Sequence, residues 1–189
     1  RGGTDCIISG SEVWNNCPDY DEGAQIHISG APAAIGFVVE NNIAYDSPHI
    51  GIRFYSGKAD NCIARGNLVY GNQLGGFYYK MNDTGKLFGT GNVCLDNANN
   101  DFSAPLGGHN TFRRLARDKK HDTDLQLGGE DWRFVDPAYR DYRLQSDSPA
   151  RGVAPDGSDL GAFQYDGSVV FVKPDGNDAT EGTSVATAW

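Results

Sequence analysis

Short apolar segments alternate with turns containing glycine and asparagine along the N-terminal half of the chain. Residues 6–8, 37–39, 62–64 and 87–89 are such segments, and each is followed, after a polar break, by another short apolar run. An amphipathic helix needs about ten or more residues at 3.6-residue spacing, and glycine or asparagine interrupts every run before that length. The pattern therefore predicts short β-strands joined by turns.

The segments recur with a constant period. An asparagine occupies positions 42, 67 and 92, a spacing of 25 residues each time, and opens the related motifs 42–47, 67–72 and 92–97. Residues 11–16 form a fourth copy, displaced by 31 residues because an insertion at 17–23 follows it. Three-stranded copies of this length can stack about 4.8 Å apart, with each backbone group paired to the copy above or below. The period predicts a parallel β-solenoid.

Alternation along each strand separates interior from exterior positions. The side chains predicted to form the core are those of Cys6, Ile8, Val13, Ile26, Ile28, Phe37, Val39, Ala44, Ile52, Phe54, Cys62, Val69, Phe77, Tyr79, Leu87, Cys94 and Phe102. Asparagine tolerates a left-handed backbone and bonds to neighbouring groups, so the aligned Asn42, Asn67 and Asn92 predict a hydrogen-bond ladder along the stack.

The four cysteines match neither a disulfide framework nor a zinc site. Cys6, Cys62 and Cys94 fall on inward positions, where a thiol packs as a small apolar group. Only a pairing of Cys6 with Cys17 stays open.

Units such as Asn67-Leu68-Val69-Tyr70-Gly71-Asn72 and Gly51-Ile52-Arg53-Phe54, repeated over residues 5–102, resemble the repeat of the pectin-lyase-like superfamily. The resemblance implies an all-β fold, a right-handed parallel β-helix with residues 1–102 as its coils. Residues 131–163 resemble the closing segment of secreted bacterial β-helix domains, which implies a secreted, extracellular protein whose residues 103–167 pack on the solenoid wall. Residues 168–189 are expected to open a next module or to dock on a neighbouring copy.

Composition narrows the partners. The chain has 189 residues, 39% of them hydrophobic, which is enough to form a buried core. Its formal net charge of −9 would repel the phosphates of nucleic acid. No apolar stretch approaches the roughly 18 to 20 residues that span a bilayer. We therefore expect neither a nucleic-acid partner nor a membrane span.

The exterior positions are of two kinds. One strand of each copy places His27, Arg53 and Tyr78 in an outward column, with Ser29, Tyr55 and Lys80 two residues further on. The other two strands are apolar outside as well, so residues 103–165 or another chain must cover them. Their outward residues are Ile7, Val38, Ile63 and Phe88 on one strand and Trp14, Ile43, Tyr45, Leu68, Tyr70, Val93 and Leu95 on the other.

The family resemblance implies enzymes that cleave acidic polysaccharides. A lyase needs a cation beside the uronate carboxylate and a base that removes a proton, and only His27, Arg53, Tyr78 and Lys80 form a stacked outward group of these types. No paired carboxylates flank them, as hydrolysis requires. A polysaccharide lyase is therefore the enzymatic alternative to a non-catalytic role. A carbohydrate-binding adhesin module, with Tyr55 and Tyr78 as its contacts, is another alternative.

Three further features carry weaker signals. Asp19, Asp21 and Glu22 gather carboxylates on the first insertion and suggest a calcium site, although no known loop spacing is complete; no other cofactor is predicted. Asn82 begins a glycosylation sequon. Residues 110–120 hold five of the 16 basic residues and are predicted as a short, solvated helix.

The leading functional hypothesis is structural. Cys6 already lies within a repeat, and the strand-like run Val169, Val170, Phe171 and Val172 begins after the closing segment. A solenoid with an open end leaves unpaired backbone groups that can accept a strand. We therefore expect an extracellular module that assembles end to end with copies of itself into a filament or surface layer, with polysaccharide as a second partner.

Overall fold

The computed structural model describes residues 5–16, 23–30, 34–56, 59–81, 87–98, 100–102, 111–112, 125–126 and 132–164. Over these residues the protein is all-β, with one 3-10 turn at Pro137–Tyr139. Its strands are β1 Ile7–Ser9, β2 Glu12–Trp14, β3 Ala24–Gly30, β4 Ala34–Ile35, β5 Val38–Glu40, β6 Ile43–Tyr45, β7 Ile50–Ser56, β8 Ala59–Asp60, β9 Cys62–Arg65, β10 Leu68–Tyr70, β11 Gly75–Met81, β12 Leu87–Thr90, β13 Val93–Leu95, β14 Asn100–Phe102, β15 Thr111–Phe112, β16 Leu125–Gln126, β17 Phe134–Asp136 and β18 Asp141–Leu144.

Three parallel sheets contain most of these strands. Sheet I has the order β1-β5-β9-β12, sheet II the order β2-β6-β10-β13-β15-β16, and sheet III the order β3-β7-β11-β14. Each 25-residue repeat contributes one strand to each sheet, and equivalent residues pair directly, as Ala44 does with Val69 and Val69 with Cys94. The predicted parallel pairing of successive repeats is confirmed.

The corners between strands use residues that tolerate a left-handed backbone. Between sheets I and II the left-handed residue is Gly10, Asn41, Gly66 and Gly91 in successive repeats. After the sheet II strands it is Asn15, Asp46, Gly71 and Asp96. All eight have φ between +50° and +66°, which glycine, asparagine and aspartate adopt at least cost. These residues explain why glycine and asparagine punctuate the sequence.

The core lies between the three sheets and contains the predicted side chains. Its buried members are Ile26, Ile28, Ala34, Val39, Ala44, Ile52, Phe54, Cys62, Ala64, Val69, Phe77 and Cys94, with Ile8, Val13 and Phe37 partly buried against them. The prediction for Cys6 is wrong, because this residue precedes the outermost strand of sheet I and is exposed. The side chains of Tyr79, Leu87 and Phe102, and all of Cys17, lie outside the described residues.

The C-terminal segment covers the outer face of sheet II. Tyr45, Leu68, Tyr70, Val93 and Leu95 on that face pack against Trp132, Phe134, Tyr142, Leu144, Ala150 and Leu160 in a second apolar cluster. The sequence predicted that either residues 103–165 or another chain covers this face, and on sheet II the chain's own segment does so. The outer face of sheet I keeps Ile7 exposed, whereas Val38 and Ile63 are half-buried.

Two further observations complete the fold. Thr111 and Phe112 form β15, which pairs in parallel with β13, so the helix predicted to span 110–120 is wrong at these two positions. A strand suits them because their backbone groups extend sheet II. Among the described residues no helix is long and apolar enough to cross a membrane.

Candidate functional site

The residues of the predicted outward column on sheet III are paired neighbours on adjacent strands. His27 pairs with Arg53, and Arg53 pairs with Tyr78. Two residues further along, Ser29 pairs with Tyr55, and Tyr55 with Lys80, whose side chain lies outside the described residues.

The environment of Arg53 differs from the solvated strip that the sequence predicts. Its guanidinium carbon lies 4.4 Å from the ring centre of Tyr55 and 5.4 Å from that of Tyr78, and only 3% of the residue is exposed. Both contacts are cation–π interactions. His27 is exposed and meets the Tyr55 ring edge-on at 6.5 Å between centroids. The rings therefore screen the cation that a lyase mechanism would present to a substrate carboxylate.

Strand alternation could not reveal this screening. It assigns Arg53 to the outer face correctly but carries no information on how rings two residues away, or one repeat away, fold over it. The remaining site predictions, Asp19, Asp21, Glu22, Asn82 and the run Val169–Val172, lie outside the described residues. Within the described part of the chain, no group of three or more His, Cys, Asp or Glu residues could hold a metal ion.

A ladder of buried asparagines runs along the corner between sheets I and II. The backbone N–H and side-chain Nδ2 of Asn42 both donate to Oδ1 of Asn67 at 3.1 Å, and those of Asn67 donate to Oδ1 of Asn92 at 3.1 and 2.9 Å. Each Nδ2 also donates to a carbonyl of the preceding repeat: Ile8 for Asn42, Val39 for Asn67 and Ala64 for Asn92, each at 2.9 Å. The predicted ladder is confirmed: Asn42 and Asn67 each donate to the amide oxygen of the next repeat and to a backbone carbonyl of the preceding one.

Serine ends this ladder in the first repeat. Ser11 occupies the position of the asparagines, and its backbone N–H donates to Oδ1 of Asn42 at 3.0 Å. Its hydroxyl lies 3.4 Å from the carbonyl of Ser9 and therefore bonds locally. The ladder stops where the stack of described repeats stops.

A second ladder, which sequence reasoning did not identify, lies at the corner after sheet II. Asn72 donates to Oδ1 of Asn97 through its N–H and Nδ2, at 3.1 and 2.8 Å, and Ser47 donates its N–H to Asn72 at 3.0 Å. The 25-residue spacing of Asn72 and Asn97 was the signal that could have found it. Ser47 ends this ladder, and within the first repeat the N–H of Asn16 donates instead to Gln25 at 3.2 Å.

Among the described residues, the first repeat lies at one end of all three sheets. β1, β2 and β3 each stand last in the described order of their sheet. Two large apolar side chains mark this edge: Ile7 is 66% exposed and Trp14 is 49% exposed. We call β1, β2 and β3 the first-repeat edge.

Trp14 is held in a fixed orientation at this edge. Its ring stacks on Tyr45 at 5.8 Å, and Tyr45 stacks on Tyr70 at 4.9 Å, with interplanar angles of 9° and 3°. The hydroxyl of Tyr45 donates to Glu12 at 2.9 Å and accepts from Arg140 of the C-terminal segment at 3.2 Å. Burial raises the pKa of Tyr45, and its bond to Glu12 adds to the rise. The stack therefore ties the edge to the covered face of sheet II.

A groove of about 630 Å³, lined largely by polar residues, lies between the corners of sheets I and II and the C-terminal loop. It was not foreseen from the sequence, because its loop wall comes from residues 154–159 and Gln164, far along the chain. Its charged side chains have partners: Arg65 Nε donates to Glu40 at 2.7 Å, and the carboxylates of Asp156 and Asp159 accept from the backbone N–H groups of Ser158 and Gly152 at 3.0 and 2.8 Å.

Comparison of the chain with protein-family models, with curated proteins and with solved structures finds no match.

Proposed function

We propose that the protein is an extracellular structural module whose copies join end to end, and that its repeats wind as a right-handed parallel β-helix of the pectin-lyase-like type. The observation that carries the assembly proposal is the first-repeat edge, where the described strands of three sheets end and apolar side chains are exposed.

Backbone geometry supports pairing at this edge. The carbonyl of Cys6 accepts from Val38, and the N–H of Gly10 donates to Glu40, so both residues turn their backbone toward the second repeat. Successive residues of a strand direct their backbone groups to opposite sides. Ile7 and Ser9 therefore direct theirs away from the described repeats, as Glu12 and Trp14 do on β2. Such a row of groups is a template for another strand.

Side chains at the edge support the same role. Ile7 is two-thirds exposed and Trp14 half exposed, and the core residues Ile8 and Val13 are only partly buried. Covering apolar surface stabilises a complex by about 25 cal/mol for each Å² removed from water. A strand from a second copy would pair with the backbone and shield these side chains at once. Because the contact joins unlike surfaces, it continues into a filament or closes into a ring.

Proline substitution at the edge tests the proposal. Ser9→Pro removes an N–H that points away from the stack, so no bond between described repeats is lost, but an incoming strand loses a partner. We expect wild-type protein to form concentration-dependent assemblies in analytical ultracentrifugation and electron microscopy, and Ser9→Pro to remain monomeric. Ser9→Ala keeps the N–H and should assemble like the wild type. A wild-type chain that stays monomeric at every concentration would refute the proposal.

Glycan binding on sheet III is the second candidate. The Tyr55 and Tyr78 rings, both in contact with the guanidinium of Arg53, offer partly exposed aromatic surface beside His27. Tyr78→Ala should then weaken binding to an acidic-glycan array, whereas Tyr139→Ala, at an exposed tyrosine elsewhere, should not.

Lyase activity is supported less well because the rings of Tyr55 and Tyr78 screen Arg53. Cleavage of alginate or pectate that Arg53→Ala or Lys80→Ala abolishes would restore that alternative.

A further inference from the structure

We propose that the first-repeat edge accepts a single extended strand and rejects another repeat stacked in register. This inference rests on the proposed end-to-end assembly and specifies the partner that it requires. The reason lies in the serine that ends the first ladder.

Within the described stack, the N–H groups of Ser11, Asn42 and Asn67 each have a side-chain acceptor in the next repeat. The N–H of Asn42 donates to Asn67, and the carbonyl of Val39 accepts from Nδ2 of Asn67. Both backbone groups belong to residues that are fully buried. One asparagine therefore satisfies two buried backbone groups of the repeat before it.

Ser11 cannot supply either bond to an incoming repeat. It has no carboxamide, and its short hydroxyl donates to the Ser9 carbonyl, two residues earlier in the same repeat. A repeat stacked on the first one would bury one N–H and one C=O at this corner without partners. Each such group costs the desolvation that a hydrogen bond would otherwise offset.

The second ladder illustrates how the molecule avoids this cost. Where Ser47 replaces asparagine, the N–H of Asn16 is satisfied instead by Gln25, a residue of β3 that is only 9% exposed and also donates to the Tyr45 carbonyl at 3.1 Å. The side chain of Gln25 thus takes over the role that an asparagine has in the other repeats. At Ser11 the described residues provide no such substitute on the outer side.

A strand that pairs with one edge and then departs avoids the corner. The run Val169-Val170-Phe171-Val172 has the β-branched and aromatic composition of a strand, and Pro174 follows after one residue. The residue before a proline avoids helical backbone, so the sequence favours an extended backbone at Lys173. By sequence, this run in a second copy is the partner that fits the edge.

Two substitutions test the selectivity. Ser11→Asn would supply the missing acceptor and donor, so we expect about tenfold tighter self-association than Ser11→Ala, measured by ultracentrifugation. Phe171→Lys should abolish assembly of the wild-type chain, because a charge replaces the middle of the docking run. The double variant should assemble again, since its edge accepts a stacked repeat. Circular dichroism of each variant checks that the fold persists.

The outcomes separate this inference from the function on which it rests. If Ser9→Pro blocks assembly but Phe171→Lys does not, or if Ser11→Asn associates no better than Ser11→Ala, the single-strand inference is wrong and end-to-end assembly stands. If the wild-type chain never assembles, both fail.

Discussion

Asparagine is suited to the ladder because one carboxamide is both donor and acceptor. Oδ1 of Asn67 accepts two bonds from Asn42, while its Nδ2 donates to Val39 and Asn92. Aspartate would offer only acceptors and would bring charges of equal sign within about one strand spacing in a buried column. The chemistry of the amide, rather than its turn propensity alone, explains the column at this corner.

Asn67→Ala should lower the free energy of unfolding by about 3–5 kcal/mol, because it leaves the Asn42 N–H and the Val39 carbonyl buried without partners. Urea denaturation monitored by circular dichroism measures the change. Asn41→Gly is the matched control: Asn41 is exposed, and glycine already occupies its position in other repeats. Equal destabilisation by the two variants would show that the ladder contributes no more than a turn residue does.

Single residues divide into those that periodicity predicts and those that it does not. The spacing of Asn42, Asn67 and Asn92 is sufficient to predict their alignment, because a repeat of constant length brings equivalent residues together. The burial of Arg53 depends on where the Tyr55 and Tyr78 rings settle, and the exposure of Cys6 depends on what lies beyond the first repeat. Neither is a property of the repeating pattern.

At the scale of elements, the C-terminal segment and sheet II stabilise each other. Tyr142 packs against Tyr70 at 4.3 Å and edge-on against Phe134 at 5.2 Å, and Leu144 is 1% exposed in the same cluster. The apolar outer residues of sheet II predicted a cover, and the motif at 131–163 predicted which part of the chain supplies it. The antiparallel pair β17 and β18 was not foreseen, because it belongs to no repeat.

Leu144→Ala should destabilise the protein by about 2–5 kcal/mol and loosen the cover, since it empties a buried site between the segment and the sheet. Hydrogen exchange should then increase at Phe134 and Tyr142 before it increases at Val69, in the core. Tyr139→Ala is the control on the same segment, because Tyr139 is 86% exposed. Uniform loss of protection across both clusters would contradict a separable cover.

At the scale of the whole molecule, three tyrosines connect the repeats to their cover. Burial raises the pKa values of Tyr45, Tyr70 and Tyr142, and a bond between Tyr70 and Tyr142 raises the pKa of Tyr70 further. An unfolded tyrosine titrates near pH 10, whereas these three lose their protons at a higher pH in the folded protein. The folded state therefore binds more protons than the unfolded state above about pH 10, and stability falls as the pH rises.

Alkaline unfolding should accordingly depend on Tyr70. Urea denaturation at intervals from pH 8 to pH 11.5 should show a roughly constant free energy of unfolding up to about pH 10 and a steep fall beyond it. Tyr70→Phe removes one buried group that must ionise on unfolding, so its profile should fall less steeply above pH 10, even if its stability at pH 8 is lower. Comparing the slopes of the two proteins cancels the lysines and other groups that they share, and Tyr139→Phe controls for loss of an exposed phenol. Parallel profiles for wild type and Tyr70→Phe would mean that the Tyr70 hydroxyl ionises as readily in the folded protein as in the unfolded chain.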